Sequence, residues 1–254
     1  MDQKTVTKLN QLNQNFYQQI AESFDQTRQS AWRGWERLLP TLNQLSKSNS
    51  DNSFSVLDLG CGNGRFANFL LQNHFLFSYL GIDNNTELLN ISQKKFDPHL
   101  DISFSYLDLV KLITTNQLQS KLNHKYELVV AFGILHHIPS FKLRNKFIKT
   151  ICELLKNKNS RIIVSAWQFA LDDRFSKKFI DPQNIDLDSS SLEDNDFILG
   201  WQNQPNIYRY CHFVDKKEME KIVKIAGNCT VESSFLADGK TEKLNRYFVL
   251  QPRQ

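Results

Sequence analysis

The feature that most constrains this chain is a change of hydrophobic period at Phe54. From there to Trp167, short apolar runs alternate with longer stretches whose apolar residues recur every three or four positions. Phe54–Leu59, Phe77–Ile82, Ile102–Tyr106, Leu128–Phe132 and Arg161–Trp167 read as strands. Phe66–Gln72, Thr86–Lys95, Leu109–Leu122 and Leu143–Leu155 read as the helices between them. Strands joined through helices run parallel, because each crossover returns the chain to the same end of the sheet. Leu128-Val129-Val130-Ala131-Phe132 is apolar at every position, as suits a strand covered on both faces. The expectation is an α/β fold, a doubly wound and mostly parallel sheet with helices on both faces.

The flanks carry other patterns. Val6, Leu9, Leu12, Phe16 and Ile20 recur at helical spacing, and Trp35, Leu38, Leu39 and Leu42 continue it after an interruption at Asp25-Gln26-Thr27. The polar run Ser46–Ser53 has linker chemistry, which divides an N-terminal helical lid (residues 1–50) from a main domain (residues 51–254). After Trp167 the alternation lapses into an insertion over about residues 171–205, with an acidic, serine-rich stretch at Asp181–Asp196 that reads as loop. Asp215–Ala226 is again amphipathic, and Thr230–Leu236 and Arg246–Leu250 read as two strands about an Asp238-Gly239 turn.

Bulk properties narrow the partners. A net charge of +4 is compatible with RNA but lacks the footprint of a dedicated nucleic-acid binder, and no DNA partner is expected. The four cysteines are scattered without a CxxC pair, which predicts free thiols in a reducing cytosol and no metal site. No stretch approaches the roughly 18 apolar residues that span a bilayer, and the first residues lack the apolar core of a leader. The expected location is cytoplasmic, with no membrane partner.

The chemistry concentrates at Asp58-Leu59-Gly60-Cys61-Gly62-Asn63-Gly64, where a strand ends and a helix begins. Three of the nine glycines in the chain fall within five residues, so the backbone is open to a ligand. The dinucleotide fingerprint needs a third glycine where Arg65 stands, and no phosphate-loop Gly-Lys-Ser/Thr follows. Asp58 would repel a pyrophosphate but suits a cofactor bearing an amino group and a sulfonium, as S-adenosylmethionine does. Asp83, with Asn84 behind it, closes the next strand and is placed to accept hydrogen bonds from ribose hydroxyls. Asp108, between Leu107 and Leu109, is placed to meet an adenine amino group, and Ala131 in the fourth strand is a further cofactor-binding candidate. All lie at carboxyl ends of adjacent strands, where open α/β sheets bind ligands.

On these residues the stretch 54–167 resembles the class I S-adenosylmethionine-dependent methyltransferase core. The resemblance implies a Rossmann-like sheet of seven strands ending in an antiparallel hairpin, which the last two strands would supply. A narrower resemblance rests on Phe24-Asp25-Gln26-Thr27-Arg28 through Trp32, Leu135-His136-His137-Ile138, Val164-Ser165-Ala166-Trp167 and Arg209-Tyr210-Cys211-His212-Phe213. These segments are similar to methyltransferases that esterify a carboxymethyl group on the wobble uridine of tRNA, and to their bacterial relatives. Arg33 and Cys211 depart from that family, which has proline and tyrosine there. The resemblance implies tRNA as acceptor and, in eukaryotic relatives, a small activator subunit as partner. A carboxylate nucleophile needs no general base, only a cation to hold it, and Arg28 and Arg209 are the candidates, with contact to the cofactor's own carboxylate the alternative for Arg28. Tyr210 and His212 would add hydrogen bonds or stack on a base, and His136 would serve as base toward a hydroxyl or amine. Two alternatives stay open: a methyltransferase of small molecules, and a non-catalytic cofactor-binding subunit.

Overall fold

The computed structural model describes residues 1–201 and 204–253. Helices α1 (Gln3–Gln26), α2 (Arg33–Glu36) and α3 (Leu39–Lys47) precede β1 (Ser53–Leu59), α4 (Arg65–Gln72), β2 (Leu76–Asp83), α5 (Thr86–Lys95) and β3 (Ile102–Tyr106). There follow α6 (Leu109–Thr114), α7 (Leu118–Lys121), β4 (Leu128–Ala131), α8 (Phe141–Cys152) and β5 (Arg161–Trp167). The remainder is α9 (Asp173–Ser176), β6 (Phe179–Ile180), β7 (Asp196–Trp201), β8 (Gln204–His212), α10 (Lys216–Ala226), β9 (Cys229–Ala237) and β10 (Asn245–Pro252).

Seven strands form one sheet in the order β3-β2-β1-β4-β5-β10-β9. The first five run parallel, and β10 inserts antiparallel between β5 and β9. Successive side chains of a strand point to opposite faces, and here both faces are apolar. Leu57, Leu59, Val129, Ala131, Ile162 and Val164 pack under α6, α8 and α10. Val56, Leu128, Val130 and Ile163 pack on the other side against Leu38, Leu42, Phe66 and Leu70. The Rossmann-like, seven-stranded expectation holds, helices on both faces included.

Two expectations are corrected. The predicted helix Leu109–Leu122 is two short helices, because Asn116 adopts a left-handed φ of 59° that ends α6; Asn tolerates that conformation better than most residues. The segment after Trp167 is more than loop: β6, β7 and β8 make a second, antiparallel sheet. The acidic stretch reaches it through 3₁₀ turns at Pro182–Ile185 and Ser189–Ser191.

Residues 1–50 divide between two places. Leu38, Leu42 and Leu45 of the α2–α3 segment belong to the core on one face of the large sheet. Helix α1 instead packs on β8 and crosses the carboxyl ends of β1 and β2. Asp2 caps its start, accepting from the Thr5 amide at 2.7 Å. Among the described residues no helix is long and apolar enough to cross a membrane.

Candidate active site

The glycine loop forms as its sequence requires. Gly60, Gly62 and Gly64 all have left-handed φ, between 54° and 79°. A side chain at Gly64 would also collide with Phe96, 2.9 Å from its Cβ position. The loop is pinned from the next strand, since the amides of Gly60 and Cys61 donate to the Ile82 carbonyl at 2.8 and 3.0 Å. Asp83 accepts from the Gly62 amide through one oxygen and from the Asn85 amide through the other, each at 2.9 Å. Burial raises the Asp83 carboxyl above the ordinary value, against those amide bonds.

Asp58 lies beneath the loop, buried, with one oxygen accepting from the Tyr79 hydroxyl at 2.6 Å. Its other oxygen, Oδ1, has no partner among the described residues. Burial pushes this carboxyl up to about 7, and the Tyr79 bond only partly offsets that. An orphaned, buried carboxylate oxygen calls for a cationic or donor group, and the cofactor's ammonium is one. The loop and the carboxylates therefore fit S-adenosylmethionine.

A cavity of about 50 Å³ lies over the loop, lined on the sheet side by Gly60, Asp83, Asn84, Leu109 and Ile134. Helix α1 lines its other wall with Asn10, Asn13 and Tyr17, and His137 reaches in from the turn after β4. Ligand pockets run to roughly 300–1,000 Å³, so α1 closes down on this one. Asp108 holds the helix there. It caps α6 through one oxygen, while the other accepts from Asn10 Nδ2 and Gln14 Nε2 at 2.9 and 2.8 Å. The C-terminal end of α1 is fastened to the loop itself, with Asn63 Nδ2 and Lys95 Nζ donating to Asp25 at 2.8 and 2.7 Å. Ala131 is buried in the core and does not line the cavity.

His136 and His137 occupy a 3₁₀ turn, both buried, their rings 4.0 Å apart. Nε2 of His137 is 2.8 Å from the Tyr17 hydroxyl, and Nδ1 is 2.9 Å from the Tyr210 carbonyl and 3.2 Å from Asn13 Nδ2. Burial, then the charge of Arg209, holds His137 down to about 3; burial drives His136 well below its ordinary value as well. Cys211 joins the pair, its Sγ within 4.8 Å of a nitrogen on each histidine. No spacing along the chain reveals this grouping, since Cys211 arrives on β8. Both nitrogens of His137 are already engaged, and the nearby positive charge of Arg209 opposes a cation.

The four remaining predicted residues separate into two pairs. Tyr210 and His212 are built into the interior. The Tyr210 hydroxyl donates to Asp196 at 2.6 Å, and His212 bridges Asp196 at 2.6 Å and Glu218 at 2.8 Å. Arg144, 1% exposed, completes this network by pairing with Glu218 and Glu193 at 2.9 and 3.1 Å. Neither predicted residue faces the cavity, which corrects the acceptor roles given them from sequence. Arg209 points the other way, its guanidinium 4.7 Å from the Trp167 ring centre and 5.0 Å from that of Phe16. Arg28 stands over Phe24 at 5.2 Å, just past the end of α1. The contacts from Asn10, Asn13, Gln14 and Tyr17 were not foreseen. Their signal was Asn13 in an otherwise apolar stripe with Leu9, Phe16 and Ile20.

A family model described as a methyltransferase domain matches residues 24–233. The Synechocystis magnesium protoporphyrin IX methyltransferase, solved with S-adenosylmethionine bound, is similar over 100% of this chain and 98% of that one, at 14% identity and a TM-score of 0.59. The N-methyltransferase NodS of Bradyrhizobium japonicum, in complex with S-adenosylhomocysteine, covers 97% of this chain and 99% of its own, at 12% identity and a TM-score of 0.58. A mitochondrial ubiquinone biosynthesis O-methyltransferase of Candida albicans is 29% identical over 92 residues, which are 35% of this chain and only 26% of that relative. With the matched family spanning most of the chain and the glycine-loop site intact, the protein belongs to the methyltransferase domain family and is a class I S-adenosylmethionine-dependent methyltransferase.

Proposed function

We propose that the methyl acceptor is a small molecule rather than a tRNA base. The observation that carries this reading is the enclosure of the site: α1 and the small sheet roof the ground above His137, leaving a narrow chamber. The Arg209–His212 segment that suggested a tRNA ligand offers no nucleotide-facing surface through Tyr210 or His212, both buried. The stretch shared with a ubiquinone biosynthesis O-methyltransferase supports the same choice.

The cofactor supplies an electrophilic methyl group on sulfur. Asp58 and the glycine loop would hold its amino acid end, Asp83 its ribose hydroxyls, and Leu107 and Leu109 the faces of its base. Helix α1 serves as the lid, excluding water from the chamber once closed. His137 and Tyr17 act as a hydrogen-bonded pair that orients the acceptor. A histidine held near 3 is a poor proton acceptor at neutral pH, so the nucleophile arrives ionised or as an already acidic hydroxyl.

Incubation with methyl-labelled S-adenosylmethionine and a fractionated cell extract tests the proposal. Label should enter molecules that pass a small-pore filter. Label retained on tRNA, with none in the filtrate, would reverse the assignment.

A further inference from the structure

Resting on the small-molecule reading, we propose that the acceptor is an organic anion whose charged group binds Arg209, with Arg28 a second cation along the same aromatic row. Arg209 is 9% exposed, yet among the described residues no carboxylate lies within ion-pair reach of it, and its Nε has no hydrogen-bond partner. Three aromatic rings surround the guanidinium: Phe16, Trp167 and Trp201, with centres 5.0, 4.7 and 5.6 Å away. Such rings recover a part of the desolvation cost of a buried cation. They leave Nε without a hydrogen-bond partner, and charged groups almost never go fully buried without a counter-charge.

A second cation stands at the other end of the same aromatic row. Arg28 lies over Phe24, Phe24 meets Tyr17 edge-on at 5.6 Å, and Tyr17 meets Phe16 edge-on at 5.0 Å. Among the described residues the Arg28 side chain finds only the carbonyl and hydroxyl of its neighbour Thr27. Burial draws Arg28 below the ordinary arginine value, against the pull of Tyr17. A buried guanidinium with no carboxylate against it among the described residues, and a second cation along the same aromatic row, form a receptor for an anion. The planar fork of arginine favours a carboxylate; a phosphate ester shares the chemistry. The rings provide an apolar wall for the rest of the molecule.

The test uses protein saturated with S-adenosylhomocysteine and matched pairs of probes, followed by calorimetry. The pairs are benzoate with benzamide, indole-3-acetate with its amide, and phenyl phosphate with phenol. At least one acid should bind about tenfold or more tightly than its neutral mate. Preference for carboxylates or for phenyl phosphate identifies which anion the site takes. Arg209→Met and Arg28→Gln should each remove that preference while S-adenosylhomocysteine affinity stays unchanged. Equal binding of acids and neutral mates, or an acid preference that survives both substitutions, overturns the proposal. Should Arg209→Met fail to fold, the Arg28→Gln variant, altered past the helix end, still decides it. Failure of S-adenosylhomocysteine to bind the parent protein would instead count against the methyltransferase reading.

Discussion

Replacing His212 by alanine should destabilise the protein severely and leave its cofactor site intact. His212 is 2% exposed and holds two carboxylates, Asp196 at 2.6 Å and Glu218 at 2.8 Å. Without it, Asp196, whose side chain is fully buried, keeps only the Tyr210 hydroxyl as a side-chain partner, while Glu218 keeps Arg144. Removing one member of a buried charged pair costs about 3–5 kcal/mol, because the other is left uncompensated. For a chain of this size each kcal/mol is worth about 2–4 °C, so the melting temperature should fall by roughly 6–20 °C. The pH dependence adds a sharper signature. Burial works to lower the histidine, but the bonds to Asp196 and Glu218 outweigh it and raise His212 above 6.5. The folded state therefore keeps a proton that the unfolded chain releases. The contribution is complete below pH 6.5 and fades as pH rises through the raised value. Denaturant titrations followed by tryptophan fluorescence should show the gap between parent and His212→Ala largest at pH 6 and smaller at pH 9. The folded fraction should still bind S-adenosylhomocysteine with parental affinity. A loss under about 1 kcal/mol, or a gap that widens with pH, would refute the buried ion network.

Three further outcomes follow from other groups. Asp58, pushed up to about 7 by burial, is largely protonated at pH 6 and should ionise on meeting the cofactor's ammonium; S-adenosylhomocysteine affinity should then rise about fivefold from pH 6 to 7, with proton release in calorimetry. The Asp58→Asn variant should lose that dependence, and a parental profile in the variant would contradict the assignment. His136 and His137 are held neutral by burial, so stability should decline as pH falls below the unfolded value of 6.5, by about 1.4 kcal/mol per unit for each histidine. His136→Phe should flatten that acid limb, measured by denaturation at pH 6 and pH 5, and an unchanged limb would count against neutral burial. The Asn10→Ala, Gln14→Ala double variant releases Asp108 from α1; stopped-flow binding of S-adenosylhomocysteine should become several-fold faster, and an unaltered association rate would mean that this latch does not gate entry.

The large sheet was legible because its signal is local and repeated. Val56 faces one layer and Leu57 the other, yet both are apolar, so the strand reads as a run. The glycine loop was legible for a related reason: its strained turn, its following helix and its acid all lie within a few residues. Strand β8 was not legible, because neither of its faces is polar or uniformly apolar. Tyr208 and Tyr210 on one face meet Leu9 and Leu187, while Arg209 and Cys211 on the other meet Trp167 and Phe169. Its sequence therefore mimics a functional segment, and Arg209, Tyr210 and His212 looked alike as candidates. What separates them is supplied by distant residues. Asp196 reaches Tyr210 from β7, and Asp196 with Glu218 of α10 encloses His212, which makes both structural. Among the described residues no carboxylate reaches Arg209. That no described residue sets a carboxylate against this buried cation is a property of the whole packed neighbourhood, which no reading of residues along the chain could have supplied.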